Sequence, residues 1–165
     1  MSIYTRRGDE GVSDLQAGRV AKQDARFEVL GDVDELSAAL GIANSAAEPF
    51  WLDVQSQLLD LGSALSGYCE CAAFAHRVEA LEAQIDALTA ALPPLKNFVL
   101  PIGKAPSRWH LARAVCRRAE RHFWATAPAD PLPGQYLNRL SDLIFQQARA
   151  VAHGDVRYQQ RKGLF

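Results

Sequence analysis

Apolar residues recur at intervals of three and four along most of the chain, a spacing typical of amphipathic α-helices. In the first such segment Val29, Val33, Leu36 and Leu40 share one face. Proline and glycine interrupt the pattern between segments, and alternating patterns that would predict strands are nearly absent. We therefore predict an all-α, up-and-down bundle of five helices joined by short loops. The predicted helices span about residues 26–46, 48–67, 75–92, 107–125 and 135–153.

The predicted fourth helix, with Ser107 as its N-cap after a proline, has an apolar and a cationic face. Its core face comprises Leu111, Ala112, Val115, Cys116, Ala119 and Phe123. Arg113, Arg117, Glu120 and Arg121 lie on the opposite side at i, i+4, i+7 and i+8. Like charges at this spacing repel each other. The stripe is either an ordinary solvated face or the contact surface for a strongly anionic ligand.

The fifth and first helices each add polar candidates. On the fifth, Asn138, Asp142 and Arg149 are predicted to lie on the polar side. On the first, Asp34 heads a stripe of small residues that would let another helix approach closely. Asp34 is then either a simple exposed acid or the partner of an arginine from another helix or subunit. The small residues of this stripe are Ser37, Ala38, Gly41 and Ser45.

Composition limits the class of protein. The chain has 165 residues, 48% of them hydrophobic and 22% charged, which is ordinary for a single globular domain. A net charge of −1 argues against nucleic-acid binding through an overall positive charge. No apolar run is long enough for a membrane span, so we expect a cytoplasmic protein without membrane contact. Three cysteines exclude a complete disulfide framework and suit a reducing compartment.

The first 24 residues predict an ordered or ligand-ordered loop rather than a helix. This loop combines glycines, hydroxyl groups and cations in the stretch "YTRRGDEGVSDLQAGRVAK". Glycine lets backbone N–H groups close around an oxyanion, while hydroxyl and cationic side chains bind phosphate. The loop matches neither of the common glycine-rich phosphate-binding motifs. Its composition is compatible with phosphate binding but does not establish it.

Five motifs occur in an order and spacing that resemble one family. They are "YTRRGDEG", "GDVDEL", "NFVLP", "HLARAVCRRAER" and "YLNRLSD". The chain resembles the ATP:cob(I)alamin adenosyltransferases of the propanediol-utilisation class over nearly its whole length. The resemblance implies a homotrimer of helical bundles with active sites between subunits. It also implies one domain over residues 1–165, divided into an ATP-binding loop (1–24), a helical bundle (25–153) and a C-terminal tail (154–165).

The resemblance assigns site residues motif by motif. Asp34 and Arg113 are implied to pair across subunits and, with Arg117, to form the catalytic set. Phe98, Asp34 and Arg113 are implied to contact cobalamin, with Phe98 displacing the lower axial ligand of cobalt. The implied ATP-binding residues are Thr5, Arg6, Arg7, Gly8, Ser13, Asp14, Lys22, Arg117, Arg118, Glu120, Arg121 and Asn138.

The implied chemistry needs no general base on the protein. Co(I) attacks the 5′-carbon of ATP and tripolyphosphate leaves, while Mg²⁺ shares the phosphate charge. The protein positions the reactants and stabilises charge on the leaving group. No protein side chain is implied as a metal ligand. A reductase and an adenosylcobalamin-dependent mutase or dehydratase are the implied partners.

The sequence departs from the family pattern at three points. Arg7 stands where the loop commonly has threonine, and Ser13 replaces a second threonine but keeps the hydroxyl group. Ile102 replaces the first of two glycines after FVLP, and the stretch before the fourth helix is one residue shorter. Because this stretch borders the corrin, one alternative is a helical-bundle ATP-binding or interaction protein that has lost corrin chemistry. A kinase-like or general nucleotide-binding enzyme is a further alternative, but no acid–base set or kinase motif in the sequence supports it.

Overall fold

The computed structural model describes residues 3–152 and 154–158. Five helices and one antiparallel hairpin form the structure in these ranges, which confirms the predicted all-α bundle. The helices are α1 (Ala25–Ala43), α2 (Pro49–Leu65), α3 (Phe74–Ala91), α4 (Lys104–Ala125) and α5 (Leu132–Ala150). The hairpin strands are β1 (Val12–Leu15) and β2 (Gly18–Ala21).

Helix α4 lies at the centre of the bundle. It packs against α1 and α5, while α2 covers α1 and α3 covers α5. Helices α1 and α4 run antiparallel, since Asp32 contacts His122 and Glu35 contacts Arg118. One hydrophobic cluster joins all five helices and includes the fully buried Leu36, Leu58 and Tyr136. The connection that carries Phe98 leads directly into the N-terminal end of α4.

The N-terminal segment contains regular structure that the sequence analysis did not predict. Strands β1 and β2 pair with Leu15 opposite Gly18 across a two-residue turn. Leu15 is buried, and the backbone N–H of Gln16 donates to the carbonyl of Ser66 at 3.0 Å. These contacts attach the hairpin to the C-terminal end of α2. The segment is thus an ordered hairpin.

Two helices begin earlier than predicted, for one physical reason. Helix α4 begins at Lys104, and the Ser107 hydroxyl donates to the carbonyl of Pro101 at 2.8 Å instead of capping the helix. Helix α5 begins at Leu132 rather than Gln135. In each case a proline, Pro106 or Pro133, lies in the first turn, where its missing N–H has no intrahelical acceptor.

For two side chains the burial predicted from helical periodicity is wrong. Leu111 was expected in the core but is 57% exposed, and its place is taken by Trp109, which is buried against Trp51. Arg149 was expected on the polar face of α5 but is buried. Helical projection shows which side chains share a face of a helix. Whether that face is buried depends on the elements that pack on it, as the segments around Pro93 and Asp155 do on Arg149.

The described ranges contain no helix that is both long and apolar enough to cross a membrane. The predicted end of the fifth helix at His153, and residues 159–165 of the predicted tail, lie outside them.

Gly134 is expected to be required for the close packing of α5 against the end of α4. A Cβ atom on Gly134 would lie 2.5 Å from Trp124 and 2.7 Å from Phe123. Gly134→Ala should therefore lower the free energy of unfolding by about 1–3 kcal/mol, the usual cost of overpacking. Urea denaturation measures this change.

Gly31→Ala is the matched control, because a Cβ atom on Gly31 in α1 meets nothing within 4 Å. That variant should gain about 0.5–1 kcal/mol, since alanine favours the helix over glycine. Equal effects of the two substitutions would contradict the packing explanation.

Candidate functional site

The glycine-rich segment before the hairpin holds a lysine close to the backbone. The Lys22 ammonium donates to the carbonyl oxygen of Gly8 at 3.0 Å. A Cβ atom on Gly8 would lie 3.0 Å from the same Nζ atom, so a larger residue would push the ammonium away. Glycine at this position therefore permits the contact. The Lys22 ammonium and the Gly8 backbone form one side of a small polar surface.

Arginines surround a single carboxylate on this surface. Arg7 contacts Asp14 at 3.3 Å, Arg19 lies 3.8 Å from the same carboxylate, and Arg19 also donates to the carbonyl of Arg7. The hydroxyl oxygen of Thr5 accepts from the Arg7 backbone at 3.4 Å. Lys22 bonds to the Gly8 carbonyl instead and has no carboxylate partner among the described residues. Its ammonium is therefore the cation of this segment most available to an anionic ligand.

Two other predicted residues support the shape of this segment. Arg6 has a φ of 62°, a left-handed conformation that is uncommon outside glycine, and its guanidinium lies 5.5 Å from the centre of the Tyr4 ring. Ser13 lies in β1 opposite Val20. Among the predicted loop residues, contacts join Thr5 to Arg7, Arg7 to Asp14 and Gly8 to Lys22. Arg6 and Ser13 contact other residues of the segment, so the seven are not all brought into contact.

The cationic stripe on α4 lies where the helical projection put it. Arg117 and Arg121 are exposed, and Arg121 donates to the carbonyl of Arg117 at 3.0 Å. Neither guanidinium has a carboxylate partner among the described residues. Two unneutralised positive charges one turn apart are costly unless a ligand or another chain supplies negative charge.

Glu120 and Asn138 join α4 to α5 beside this stripe. The Asn138 amide donates to Glu120 at 3.1 Å, and its oxygen accepts from Arg139 at 2.6 Å. Arg139 in turn pairs with Glu82 of α3. These polar groups line a cleft of about 410 Å³ together with Trp124, which is 45% exposed. Of the residues that line this cleft, Glu120 and Asn138 were predicted from the sequence, whereas Glu82, Trp124 and Arg139 were not.

Unlike Arg117 and Arg121, Arg118 is paired with carboxylates of the same chain. Its guanidinium points toward α1, where Nε donates to Asp32 at 2.8 Å and Nη2 pairs with Glu35. His122, one turn further along α4, contacts the other oxygen of Asp32 at 2.7 Å. Asp32 is buried, so these partners compensate its desolvation. Within one chain, Arg118 is part of the α1–α4 interface.

One turn before Arg117, near the middle of α4, Arg113 borders an open cavity of about 940 Å³. Phe98 also lines this cavity and is 84% exposed, so it is not a plug in the hydrophobic core. The guanidinium of Arg113 lies 5.2 Å from the centre of the Phe145 ring. The remaining lining includes Leu95, Lys96, Asn97, Val99, Pro101, His110 and Tyr158.

Arg113 and Asp34 each lack an ionic partner in the described part of the chain. The Nε atom of Arg113 is buried without a hydrogen-bond partner. Burial and the positive charge of Arg117 lower the pKa of Arg113, partly opposed by Asp142. Asp34 is exposed on α1 and forms no ion pair there. The two residues are not brought together within one chain.

The two groups of residues predicted to bind phosphate, the N-terminal segment and the arginines of α4, are also not in polar contact within the described part of one chain. Among residues 3–152 and 154–158, no hydrogen bond or ion pair joins the segment 3–24 to the arginines of α4. The same residues contain no group of three or more His, Cys, Asp or Glu side chains that could hold a metal ion.

Several residues of these sites escaped the sequence analysis. Asp32 was detectable as an acid at the edge of the apolar face of α1, and His122 by its i+4 spacing from Arg118. The cavity residues His110, Phe145 and Tyr158 had no such signal, because they come from three distant segments.

Comparisons with known proteins identify the family to which the chain belongs. The profile of the family described as "Cobalamin adenosyltransferase" matches residues 3–151. The chain is 42% identical to a corrinoid adenosyltransferase of Mycobacterium tuberculosis, covering 93% of this chain and 91% of that protein. It is 37% identical to the corrinoid adenosyltransferase of Bacillus subtilis, covering 100% and 96%.

A solved structure gives the same result for the fold. A variant PduO-type ATP:corrinoid adenosyltransferase from Lactobacillus reuteri, complexed with cobalamin and ATP, is similar with a TM-score of 0.86. The two are 27% identical, and the match covers 99% of this chain and 100% of that one. The fold is thus that of the PduO-type adenosyltransferases, a class of helical transferases. This chain belongs to the cobalamin adenosyltransferase family.

His110 provides a pH-dependent test of the cavity wall. Burial and the positive charge of Arg113 lower the pKa of His110 below its usual 6.5. Its neutral form therefore stabilises the fold fully above about pH 6.5, and this stability is lost as the pH falls through the lowered pKa. A proton NMR titration should give a midpoint for His110 below 6.5.

His110→Asn should make the free energy of unfolding fall less steeply between neutral and acidic pH. His76→Asn is the control, because the His76 side chain is 90% exposed. A His110 midpoint at or above 6.5 would contradict the stated effect of burial.

Proposed function

We propose that this protein transfers the 5′-deoxyadenosyl group of ATP to the cobalt of cob(I)alamin, giving adenosylcobalamin and tripolyphosphate. The observation that carries the proposal is the position of Arg113. It is the first residue of the cationic stripe on α4 and also a wall of the 940 Å³ cavity that exposes Phe98. A phosphate-binding surface and a large, partly apolar cavity therefore adjoin at one residue.

ATP is bound, on this proposal, between the N-terminal segment and α4. Thr5, Arg6, Arg7, Gly8, Ser13, Asp14 and Lys22 form one side, and Arg117, Arg118, Glu120, Arg121 and Asn138 form the other. The unpaired guanidinium groups of Arg117 and Arg121 support this assignment most directly. Arg118 would remain bonded to Asp32 and act through the α1–α4 interface. Mg²⁺ enters with the nucleotide and shares its phosphate charge.

The protein contributes positioning and electrostatics to this reaction. Co(I) is itself the nucleophile, so its electron pair forms the bond to C5′ while the bond from C5′ to the triphosphate oxygen breaks. Arg117 and Arg121 stabilise the negative charge on the departing tripolyphosphate. Phe98 occupies the lower face of the corrin and excludes the axial ligand there. A reductase must supply the Co(I) state, and an adenosylcobalamin-dependent enzyme must consume the product.

The complete active site is proposed to form between the subunits of a homotrimer. Two observations support this assembly. The N-terminal segment makes no hydrogen bond to the α4 stripe within the described chain, and Arg113 and Asp34 each lack a partner. A neighbouring subunit would bring Asp34 to Arg113 and the N-terminal segment to the stripe. The proposed compartment for this activity is the cytoplasm.

Incubation with MgATP and chemically reduced cobalamin tests the function. Formation of the cobalt–carbon bond is followed as a change in the visible spectrum, and tripolyphosphate is measured as the co-product. Omission of ATP should abolish both signals. ATP binding without either product would favour the alternative of a nucleotide-binding protein that has lost corrin chemistry.

Arg117→Ala should lower kcat/KM by about 10²-fold or more, the size expected for loss of a preorganised charge donor. Steady-state kinetics at sub-saturating ATP measure the change. Arg108→Ala is the matched control, since Arg108 is exposed on the first turns of the same helix and outside the proposed site. Near-normal kinetics of Arg117→Ala would show that the stripe does not contact the nucleotide.

Asp34→Asn and Arg113→Ala should each weaken the trimer or the corrin site. Removing one partner of a buried ion pair costs up to about 3–5 kcal/mol because the other charge remains buried. The double variant should lose less than the sum of the two single losses. Sedimentation and activity of all three variants provide the measurement, and strict additivity would mean that the two side chains do not touch.

A further inference from the structure

Arg149 is a buried cation that the proposed site does not use. Its side chain is 3% exposed near the C-terminal end of α5. The guanidinium Nη2 donates to Asp155 at 2.8 Å and to the carbonyl of Pro93 at 2.7 Å, while Nη1 donates to Gln146 at 3.1 Å. The Nε atom also donates to Asp155, at 3.2 Å. These bonds compensate the desolvation of the buried charge.

The bonds of Arg149 join three separate segments. Gln146 belongs to α5, Pro93 begins the connection from α3 to α4, and Asp155 lies beyond the end of α5. A planar guanidinium can satisfy acceptors on several sides in one fixed geometry, which an ammonium group cannot. Arg149 therefore sets the distance between the chain after α5 and the start of the α3–α4 connection.

The chain after Asp155 is hydrogen-bonded to the segment that carries Phe98. The Leu100 N–H donates to the Val156 carbonyl at 2.8 Å, and the Tyr158 N–H donates to the Phe98 carbonyl at 2.8 Å. Between them, Val99 pairs with Arg157 in an antiparallel bridge. Residues 156–158 thus form a short ladder with residues 98–100.

Burial cannot hold the Phe98 segment in place. None of residues 93–103 is buried, and Phe98 itself is 84% exposed. A segment with few buried apolar contacts and exposed backbone is expected to open easily. The backbone that carries Phe98 is therefore restrained by hydrogen bonds: the ladder from residues 156–158, the bond from Arg149 to Pro93 and the bond from Ser107 to Pro101.

We propose that Arg149 and Asp155 are positioning residues for the corrin site: their ion pair anchors the 156–158 strand, which holds Phe98 against the lower face of the corrin. This inference rests on the proposed function. It assigns to the chain after α5 a part in setting the cobalt coordination, although neither Arg149 nor Asp155 lines the 940 Å³ cavity.

Arg149→Lys and Asp155→Asn test the proposal in the full-length protein. Electron paramagnetic resonance of bound cob(II)alamin with MgATP should show less four-coordinate cobalt in both variants than in the wild type. Adenosylation kcat should fall about tenfold or more, since misplacement of a positioning group by about 1 Å can cost 10²-fold. The KM for ATP should stay unchanged, because the proposed ATP-binding residues lie outside residues 93–103 and 154–158, and Asn138, the one on α5, lies about three helical turns before Arg149.

Asp60→Asn is the matched control, because Asp60 also pairs with an arginine, Arg77, but between α2 and α3 away from the cavity. It should leave the cobalt spectrum unchanged. Hydrogen exchange of the Leu100 and Tyr158 amides should accelerate in Arg149→Lys and Asp155→Asn but not in Asp60→Asn. This separates loss of the ladder from general destabilisation.

Tyr158→Pro removes one ladder hydrogen bond without altering Arg149, and it keeps the proposal testable if the Arg149 variant does not fold. Tyr158→Ala controls for loss of the ring while keeping the N–H group. Tyr158→Pro should lower the four-coordinate fraction further than Tyr158→Ala does.

The outcomes separate this proposal from the function on which it rests. A wild type that forms no adenosylcobalamin overturns both. An active wild type, with Arg149→Lys or Tyr158→Pro retaining the full four-coordinate signal, overturns only the anchoring role.

Discussion

The packing of α4 between α1 and α5 is the constraint on which the rest of the structure depends. Its apolar face, with Ala112, Val115 and Ala119 buried, lies against both neighbours. Because a helix is rigid, this burial fixes the direction of every polar side chain on the opposite face. Arg117 and Arg121 then point outward, Arg118 points to Asp32, and Arg113 points to the cavity beside Phe98. One packed face thus places three different kinds of arginine.

The arginines of the cationic stripe on α4, which have no carboxylate partner within the described part of one chain, are the ones proposed to bind a ligand or another subunit. Where arginines have partners, as Arg118 and Arg149 do, they connect elements of the same subunit. Where they lack partners, as Arg113 does, they face a cavity or solvent. Like charges one turn apart on an exposed helix face cost about 0.2–0.5 kcal/mol, and a buried charge without a partner costs more, so both favour a ligand or another subunit that supplies negative charge. The proposed ATP site and the proposed trimer contact both follow this rule.

Periodicity and turn residues were sufficient for the helices but not for their ends. The core face of α1, from Val29 to Ala43, is buried as the spacing predicted. Helices α4 and α5 begin three residues before their predicted starts, because the first helical turn accepts Pro106 and Pro133 and the helix need not begin after them. The hairpin was missed because Val12–Leu15 and Gly18–Ala21 are short and largely polar, so their pairing depends on anchoring Leu15 and Gln16 at the end of α2.

By itself, the sequence determined which residue types share a helical face, the five-helix architecture and, through its motifs, the family. The shared helical faces and the architecture follow from the local period of apolar residues, which is set by backbone geometry, and the family follows from the motifs. Only the tertiary structure decided which face each loop covers, and therefore which charges are paired. Arg149 and Arg118 resemble solvent-facing arginines in sequence, yet one is buried by the chain after α5 and the other is turned into the α1–α4 interface. Apart from Gln146, which is three residues from Arg149, their partners lie six to 86 residues away along the chain. Such contacts depend on how the elements pack, which no local pattern records.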